Sequence, residues 1–240
     1  MLQMRSDLFV SVIVPAFNEK DNILVLIDKI HQELSGMKHQ IIVIDDNSPD
    51  GTYRIVCEKK YSFVKPILRT SDPGLAKSIR AGLEKADGNV FVIMDSDFNH
   101  QPHYIPRMIK NLEFYDCVVA SRFVYGGLMD SRWRHISSWI FNIFVRLVTG
   151  KFITDSLYGF FAIHRSVIEK LDYDKIFWGY GDYCIRLMYY LQETGSEILQ
   201  MPVVNGRRLK GQGNGSFLKV FVQYTKETIK LFLKERLKLK

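Results

Sequence analysis

The sequence lacks the features that would place a protein within a membrane or outside the cell. None of its uncharged stretches reaches the roughly 18 residues of a membrane-spanning helix, and its first residues lack the apolar run of a signal peptide. Cysteine is scarce: Cys57, Cys117 and Cys184 lie far apart and support neither a disulfide framework nor a tetrahedral zinc site. We therefore expect a protein of the reducing cytoplasm.

Acidic residues are scarce in the C-terminal segment. Residues 206–240 contain ten Lys or Arg and two Glu, a local charge of +8; since the whole chain carries +7, the preceding 205 residues carry −1. From Ser216 onward, lysines and apolar residues separate onto two sides at helical spacing, which predicts a basic amphipathic helix over 216–240. This helix either packs on the domain formed by residues 1–215 or lies on an anionic membrane surface.

The rest of the sequence alternates between two kinds of apolar pattern. Short, nearly continuous runs rich in β-branched residues predict strands, and apolar residues spaced by three and four predict helices. The predicted strands cover residues 9–15, 41–44, 64–68, 89–94 and 117–120. The predicted helices cover residues 22–34, 53–60 and 74–86, with an interfacial or core helix over 139–148. This order predicts an α/β fold, a mostly parallel central sheet flanked by helices.

Polar residues follow three of the predicted strands at the points where the strands end. They are Asn18-Glu19, Asp45-Asp46 and Asp95-Ser96-Asp97. Because the carboxyl ends of parallel strands meet at one edge of a sheet, and open α/β sheets bind ligands there, these side chains are expected to lie close together. The sequence therefore predicts a ligand site rich in carboxylates at this edge.

The acids at this edge suit two kinds of chemistry. Asp95 and Asp97, one residue apart after a buried strand, suit a hard divalent cation that keeps open positions for the oxygens of a diphosphate. Of Asp45 and Asp46, one is expected to form a turn before the next helix and the other to accept hydrogen bonds from a ligand. Phe17 either stacks on a base or belongs to the core.

Several motifs occur together in a particular order and spacing. They are Val14-Pro15-Ala16-Phe17-Asn18-Glu19, Ile44-Asp45-Asp46-Asn47-Ser48-Pro49-Asp50-Gly51-Thr52, Gly74-Leu75-Ala76 with Gly82, Met94-Asp95-Ser96-Asp97, Ser121-Arg122-Phe123, Gly126-Gly127, and Asp155 with Gly159-Phe160 and Arg165. The combination resembles the family 2 glycosyltransferases with the A-type, nucleotide-binding fold, as far as about residue 210. Within that family it is most similar to the polyprenyl-phosphate hexose synthases, the group of dolichyl-phosphate mannose synthase.

The resemblance implies a site for a nucleotide sugar and a metal ion. The residues implied for binding the sugar donor are Pro15, Phe17, Glu19, Asp46, Asp95 and Ser96. Asp97 is implied as the principal ligand of Mg²⁺ or Mn²⁺, and Asp95 as a ligand of the ribose or the metal. Asn99 occupies the position at which relatives often have a metal-binding Gln, and it is the third candidate ligand.

The resemblance also implies an acceptor side built from arginines. Arg122, together with Arg132 or Arg134, would bind an acceptor phosphate through parallel hydrogen bonds. The alternative for Arg132 and Arg134, equally compatible with the sequence, is that they are solvent-exposed residues at the start of a helix. Arg208 is implied at the donor diphosphate. Asp182 would act as a base only if the acceptor is a hydroxyl, and it also suits a helix cap. The implied catalytic residues are Asp97, Arg122, Asp182 and Arg208.

The activity expected from these motifs is an inverting, metal-dependent transfer of a hexose from a nucleoside-diphosphate sugar to a polyprenyl phosphate. One alternative is transfer to a glycan hydroxyl during polysaccharide synthesis, and another is a non-catalytic nucleotide-binding membrane adaptor. A lipid-linked acceptor favours a peripheral protein at the cytoplasmic face of a membrane, with the basic helix on anionic lipids. No nucleic-acid partner is expected, because the aromatic residues of the basic segment follow helical spacing and form no stacking platform.

Overall fold

The structure is a computed structural model that describes residues 8–206 and 217–236. Its strands are β1 (Phe9–Ala16), β2 (Lys38–Asp45), β3 (Val64–Leu68), β4 (Val90–Ile93), β5 (Cys117–Ser121), β6 (Phe161–His164) and β7 (Ile198–Pro202). Within the described residues they form one sheet in the order β3-β2-β1-β4-β6-β5-β7. Every pairing is parallel except those of β6, which runs antiparallel to both of its neighbours. The expected α/β class with a mostly parallel sheet is confirmed.

Helices cover both faces of this sheet. They are α1 (Ile23–Glu33), α2 (Thr52–Lys59), α3 (Leu75–Lys85), α4 (Ile105–Asn111), α5 (Arg132–Thr149), α6 (Arg165–Ile168), α7 (Tyr173–Ile176), α8 (Tyr183–Glu193) and α9 (Phe217–Leu231). A 3₁₀ turn (Pro102–Tyr104) precedes α4, and a π-helical turn (Phe232–Arg236) follows α9. The predicted helices at 22–34, 53–60 and 74–86 thus lie within a residue of α1, α2 and α3.

The core forms on both faces of the sheet because side chains alternate along each strand. Val12 and Val14 of β1 join α1 in one cluster, whereas Ile13 joins α3 in the other. The approach of α3 is close enough to require glycine at position 82, where a Cβ atom would lie 2.6 Å from the side chain of Ile13. Burial on both faces explains why the strand sequences are continuously apolar.

The predicted ranges leave out the strands β6 and β7, the helices α4, α6, α7 and α8, and the first part of α5. β6 is only four residues long, and β7 pairs with β5 alone and contains the polar Gln200, so neither gives a distinct periodic signal. Helix α5 begins at Arg132, before the expected start at residue 139. Its N-cap is Ser131, whose hydroxyl accepts a hydrogen bond from the N–H of Arg134 at 3.4 Å.

The C-terminal helix α9 packs on the domain. Leu231 is buried in a cluster with Phe141 and Val145 of α5 and with Ile185 of α8, and Thr228 is also buried. Packing, one of the two roles open to this helix, is therefore observed, and its contact with a membrane stays a prediction. Among the described residues, none of the helices combines the length and the apolar character needed to cross a membrane.

Candidate active site

The carboxyl ends of β1 and β4 mark the point at which the strand order reverses. From β1 the chain passes through α1 to β2 on one side, and it later crosses through α3 to β4 on the other side. Crevices at such reversal points bind ligands in open α/β sheets. The residues that follow β1, β2 and β4 meet at this edge, as the sequence predicts.

The segment after β1 is held to the segment after β2 by hydrogen bonds. The N–H of Asn18 donates to the hydroxyl of Ser48 at 2.9 Å, and the N–H of Glu19 donates to the hydroxyl of Thr52 at 3.0 Å. Pro15 is buried. Phe17 is 44% exposed, which excludes it from the core and leaves its ring accessible beside these loops. Of its two predicted roles, the core role is excluded, and stacking on a base stays a prediction.

Asp45 and Asp46 both accept hydrogen bonds from protein groups. Asp45 forms the expected turn, since one of its carboxylate oxygens accepts the N–H of Ser48 at 2.7 Å. Asp46 accepts hydrogen bonds from Arg69 (2.5 Å), the hydroxyl of Ser78 (2.7 Å) and the N–H of Gly74 (2.7 Å). In the described residues, the buried second oxygen Oδ2 of Asp45 has no hydrogen-bond partner.

These contacts of Asp46 have a tertiary cause, and its role in binding the sugar donor stays a prediction. Arg69 follows β3, and Gly74 and Ser78 belong to the start of α3, so their proximity to β2 arises only when the sheet assembles. Asp46 therefore fixes the start of α3 against the carboxyl edge. Its carboxylate holds the loop that contains Gly74 at this edge of the sheet.

The acid triplet follows β4 in a constrained loop. Asp97 accepts the N–H of Asn99 at 3.0 Å and its side-chain amide at 2.7 Å. Between them, Phe98 has a buried side chain and a φ of 67°, a left-handed conformation that is uncommon for a bulky residue. The structure thus places Asn99 as a support for Asp97. This contact leaves the predicted role of Asn99 as a metal ligand untested.

The same loop presents two carboxylates but no complete set of metal ligands in the part of the chain that the structure describes. Among the described residues, no set of three or more His, Cys, Asp or Glu side chains is arranged to hold a metal. Asp95, which is partly exposed, and the buried Asp97 nevertheless present two carboxylates one residue apart. Mg²⁺ and Mn²⁺ accept carboxylate, phosphate and water oxygens together, so two protein ligands suffice where a diphosphate supplies others.

His100 and Tyr158 support this loop, and no sequence pattern indicated these contacts. The buried imidazole of His100 accepts the N–H of Asp95 at 2.8 Å and stacks on Phe160 with ring centroids 5.0 Å apart. The hydroxyl of Tyr158 donates to the carbonyl of Asn99 at 2.8 Å. Burial raises the pKa of Tyr158 well above its ordinary value, so its hydroxyl keeps the proton that it donates.

Arg122 lies on the other side of Tyr158. Its guanidinium donates to both oxygens of the buried Asp155, at 2.7 and 2.8 Å, and its carbon lies 4.5 Å from the ring of Tyr158. Burial by itself lowers the pKa of Arg122, but the attraction of Asp155 outweighs burial and raises it overall. A buried ion pair of Arg122 and Asp155 therefore lies one tyrosine side chain away from the acid triplet.

A cleft of about 290 Å³ opens beside Arg122. Its lining residues are Arg122, Phe123, Val124, Tyr125, Gly126, Gly127, His135, Ile136 and Trp139. Among the described residues, the buried Nδ1 of His135 has no hydrogen-bond partner, a feature that the sequence did not reveal. Arg132 and Arg134 are exposed at the start of α5 and are not part of the described lining. The structure thus brings Arg122, but not these two arginines, into the cleft wall.

Asp182 is enclosed by protein groups. Its side chain is 0% exposed, and it accepts hydrogen bonds from Arg186 (2.5 Å), the N–H of Tyr180 (3.0 Å) and the side-chain amide of Gln223 (2.9 Å). This geometry favours a structural role that ties α8 to α9 over a role as a proton acceptor. Arg208 lies outside the described residues.

Comparisons with known proteins agree with the fold and show the family. Residues 11–172 match the family described as glycosyl transferase family 2, and the chain belongs to this family. It is 32% identical to a dolichol-phosphate mannosyltransferase of Pyrococcus furiosus over 85% of this chain, spanning 58% of that relative's length. It is 29% identical to an undecaprenyl-phosphate mannosyltransferase of Micrococcus luteus, with 86% of this chain and 87% of the relative covered. The resemblance expected from the motifs is confirmed.

A solved structure shares the fold. Glucosyl-3-phosphoglycerate synthase of Mycobacterium tuberculosis, determined with Mn²⁺, uridine diphosphate and glucosyl-3-phosphoglycerate, superposes with a TM-score of 0.72. The match covers 98% of this chain and 82% of the other at 19% identity. At this identity the similarity establishes the A-type fold alone.

Proposed function

We propose that this protein transfers a hexose from a nucleoside-diphosphate sugar to the phosphate of a polyprenyl phosphate, with inversion at the anomeric carbon. Relatives over most of the chain are named as transferases that use dolichyl, polyprenyl or undecaprenyl phosphate. The observation that carries the proposal is the juxtaposition of Arg122 with the acid triplet through Tyr158, beside a cleft that includes apolar side chains.

Each side of the site has a distinct task in this reaction. Asp95 and Asp97 would hold Mg²⁺ or Mn²⁺, which when bound neutralises charge on the departing nucleoside diphosphate. Arg122, fixed by Asp155, would orient the acceptor phosphate so that its oxygen attacks the anomeric carbon opposite the leaving group. Phe17 would stack on the base, and the loop fixed by Asp46 and Glu19 would border the ribose.

The state of Asp182 supports a phosphate acceptor. A phosphate is anionic at neutral pH and requires no general base, whereas a glycan hydroxyl requires one. Asp182, the acid available for that task, is fully buried and bonded to Arg186. The glycan-hydroxyl alternative therefore lacks Asp182 as an accessible base, and intact acids at the matched positions disfavour a non-catalytic adaptor.

A peripheral position at the cytoplasmic face of a membrane is part of the proposal. The acceptor class is a membrane lipid, so the enzyme has to reach a bilayer surface. Helix α9 presents the exposed Lys226 and Lys230, and the π-helical turn that follows it adds the exposed Lys234, which suits attraction to anionic lipids.

The proposal is tested with radiolabelled UDP- and GDP-hexoses, the purified chain and a polyprenyl phosphate in detergent micelles. We expect label to enter the organic phase with one of the sugar donors, and to stay in water when the acceptor is the corresponding polyprenol without its phosphate. Label that appears only on a water-soluble glycan, when membrane extract is supplied, would replace this function with the glycan-hydroxyl alternative.

Removal of divalent cations is expected to lower the transfer rate by at least about a thousandfold, because the two carboxylates then repel the diphosphate that they otherwise bind through the metal. Activity is measured in excess EDTA and after addition of Mn²⁺ or Mg²⁺, which should restore it. Circular dichroism before and after chelation serves as the control for folding. Undiminished transfer in EDTA would show that the acids work without a metal.

A further inference from the structure

Helix α9 lies against the segment that connects α7 to α8, residues 177–182. The side-chain amide of Gln223 donates to the buried carboxylate of Asp182 at 2.9 Å. Two turns further along α9, the amine of Lys230 lies 4.8 Å from the ring centre of Trp178. Positions seven residues apart lie on the same side of an α-helix, so one side of α9 faces this segment.

A further contact joins α9 to the same segment. The hydroxyl of Tyr224 lies 2.1 Å from the position that a Cβ atom of Gly181 would occupy, so only glycine fits there without displacing the tyrosine. Burial raises the pKa of Tyr224, and the charges of Asp182 and Asp95 raise it further. The side chain of Tyr224 therefore lies within electrostatic range of both the segment and the acid triplet.

Arg186 and Asp182 fix the path of the backbone through the segment. Arg186 donates to the carbonyl of Ile176 at 3.0 Å and to that of Trp178, and its guanidinium carbon lies 3.7 Å from the ring centre of Trp178. Asp182 accepts the N–H of Tyr180 at 3.0 Å. Because Asp182 also forms an ion pair with Arg186, this buried pair holds both ends of the segment. The hydrogen bond from Gln223 to Asp182 therefore acts on the whole segment.

The segment lies in turn against the loop at the start of α3. The carbonyl oxygen of Gly179 lies 3.6 Å from the position that a Cβ atom of Gly74 would occupy, so the two backbones are neighbours. Gly179 has a φ of 75°, and a Cβ atom there would lie 2.8 Å from the carboxylate of Asp182, which together require glycine. Gly74 donates its N–H to Asp46, a residue predicted to bind the sugar donor. A chain of contacts thus runs from α9 to the donor side of the site.

From these contacts we infer that α9 positions the donor side of the site through segment 177–182, with Gln223 as the positioning residue and Tyr224 as the contact that fixes Gly181. Together they hold the segment in the shape that lets Gly179 support the loop of Gly74. The inference rests on the proposed function for the identity of the ligand, a nucleoside diphosphate. The coupling between the segment and the loop is a property of the fold, and it is measured without a ligand.

Amide hydrogen exchange of the full chain tests this coupling. Gln223→Ala removes the bond to Asp182, so the N–H groups of Tyr180 and Gly74 are expected to exchange about fivefold faster, the change that corresponds to one hydrogen bond. Leu231→Val is the matched control, because Leu231 packs in the cluster with α5 and α8, and it should leave both amides unchanged. Acceleration that does not reach Gly74, or that is equal in both variants, would overturn the inference.

Binding of UDP and GDP, each with Mn²⁺, measures the effect on the site. Gln223→Ala is expected to weaken binding of the nucleotide that the unmodified chain prefers by about three- to tenfold. Gln223→Glu has the same length but places a carboxylate against Asp182, so it should weaken binding at least as much. Thr225→Ala, whose hydroxyl bonds to the carbonyl of Phe221 within α9, should bind as the unmodified chain does. In transfer assays of Gln223→Ala, the KM for the sugar donor should rise by the same factor while kcat changes by less than about twofold.

The outcomes separate this inference from the proposed function. If the unmodified chain binds neither nucleotide, the proposed function fails, and the exchange of Tyr180 and Gly74 alone decides the inference. If Gln223→Ala binds nucleotide as tightly as the unmodified chain, the inference is wrong and the proposed function stands. A loss of kcat with an unchanged KM would connect α9 to the chemical step and not to donor binding, and it would also overturn the inference.

Discussion

Asp97→Ala is expected to lower hexose transfer by at least about a thousandfold, equivalent to roughly 4 kcal/mol of transition-state stabilisation. The carboxylate of Asp97 lies at the carboxyl end of β4, at the reversal point of the sheet, and its loop is held in shape by Asn99. Loss of the carboxylate removes a ligand of the proposed cation. It also removes hydrogen bonds to Asn99, with an expected cost in stability of about 1–2 kcal/mol.

Asp87→Ala is the matched control for this experiment. Asp87 lies just before the same strand, at the opposite edge of the sheet, in an exposed ion pair with Lys65 at 3.2 Å. Its removal should leave the transfer rate unchanged within about twofold. Turnover is measured at saturating sugar donor, and Mn²⁺ binding by calorimetry in the presence of the nucleoside diphosphate. An Asp97→Ala protein that binds Mn²⁺ and transfers sugar normally would remove Asp97 from the metal site.

Asp182→Ala is expected to reduce the free energy of unfolding by about 3–5 kcal/mol, because it leaves the buried Arg186 without its close carboxylate partner. The remaining acid near this guanidinium is Glu227, at 3.9 Å. The loss also breaks the contact between Asp182 and Gln223 of α9, so the packing of the C-terminal helix should loosen. Urea unfolding of the full chain measures the effect.

Two comparison variants make the Asp182 result specific. Asp174→Ala removes an exposed partner of Arg80 and should cost less than about 1 kcal/mol. The double variant Asp182→Ala/Arg186→Met removes both buried charges and should recover much of the lost stability. A stable Asp182→Ala protein that has lost transfer by about 10²–10⁴ would instead identify Asp182 as a general base and favour a hydroxyl acceptor.

Local sequence patterns were sufficient to predict the strands that bury apolar residues on both faces of the sheet. Strands β1, β2 and β4 are short apolar runs with acids at their ends, and both features can be recognised in consecutive residues. The same reasoning failed for β6, whose four residues run antiparallel between β4 and β5. That pairing depends on β4 and β5, which lie some 70 and 45 residues earlier in the sequence. A local sequence pattern therefore cannot predict it.

The sequence by itself determined the fold class, the family and the edge of the sheet at which the acids gather, because strand periodicity and motif order are properties of neighbouring residues. Only the tertiary structure decided which candidate site residues form hydrogen bonds with other protein groups. Asp46 is bonded to Arg69 and Gly74, Arg122 to Asp155, and Asp182 to Gln223, partners between 23 and 41 positions apart. Folding brings such groups within hydrogen-bond distance. Burial then strongly favours each pairing, because leaving a buried polar group without a partner destabilises the fold by more than one hydrogen bond stabilises it.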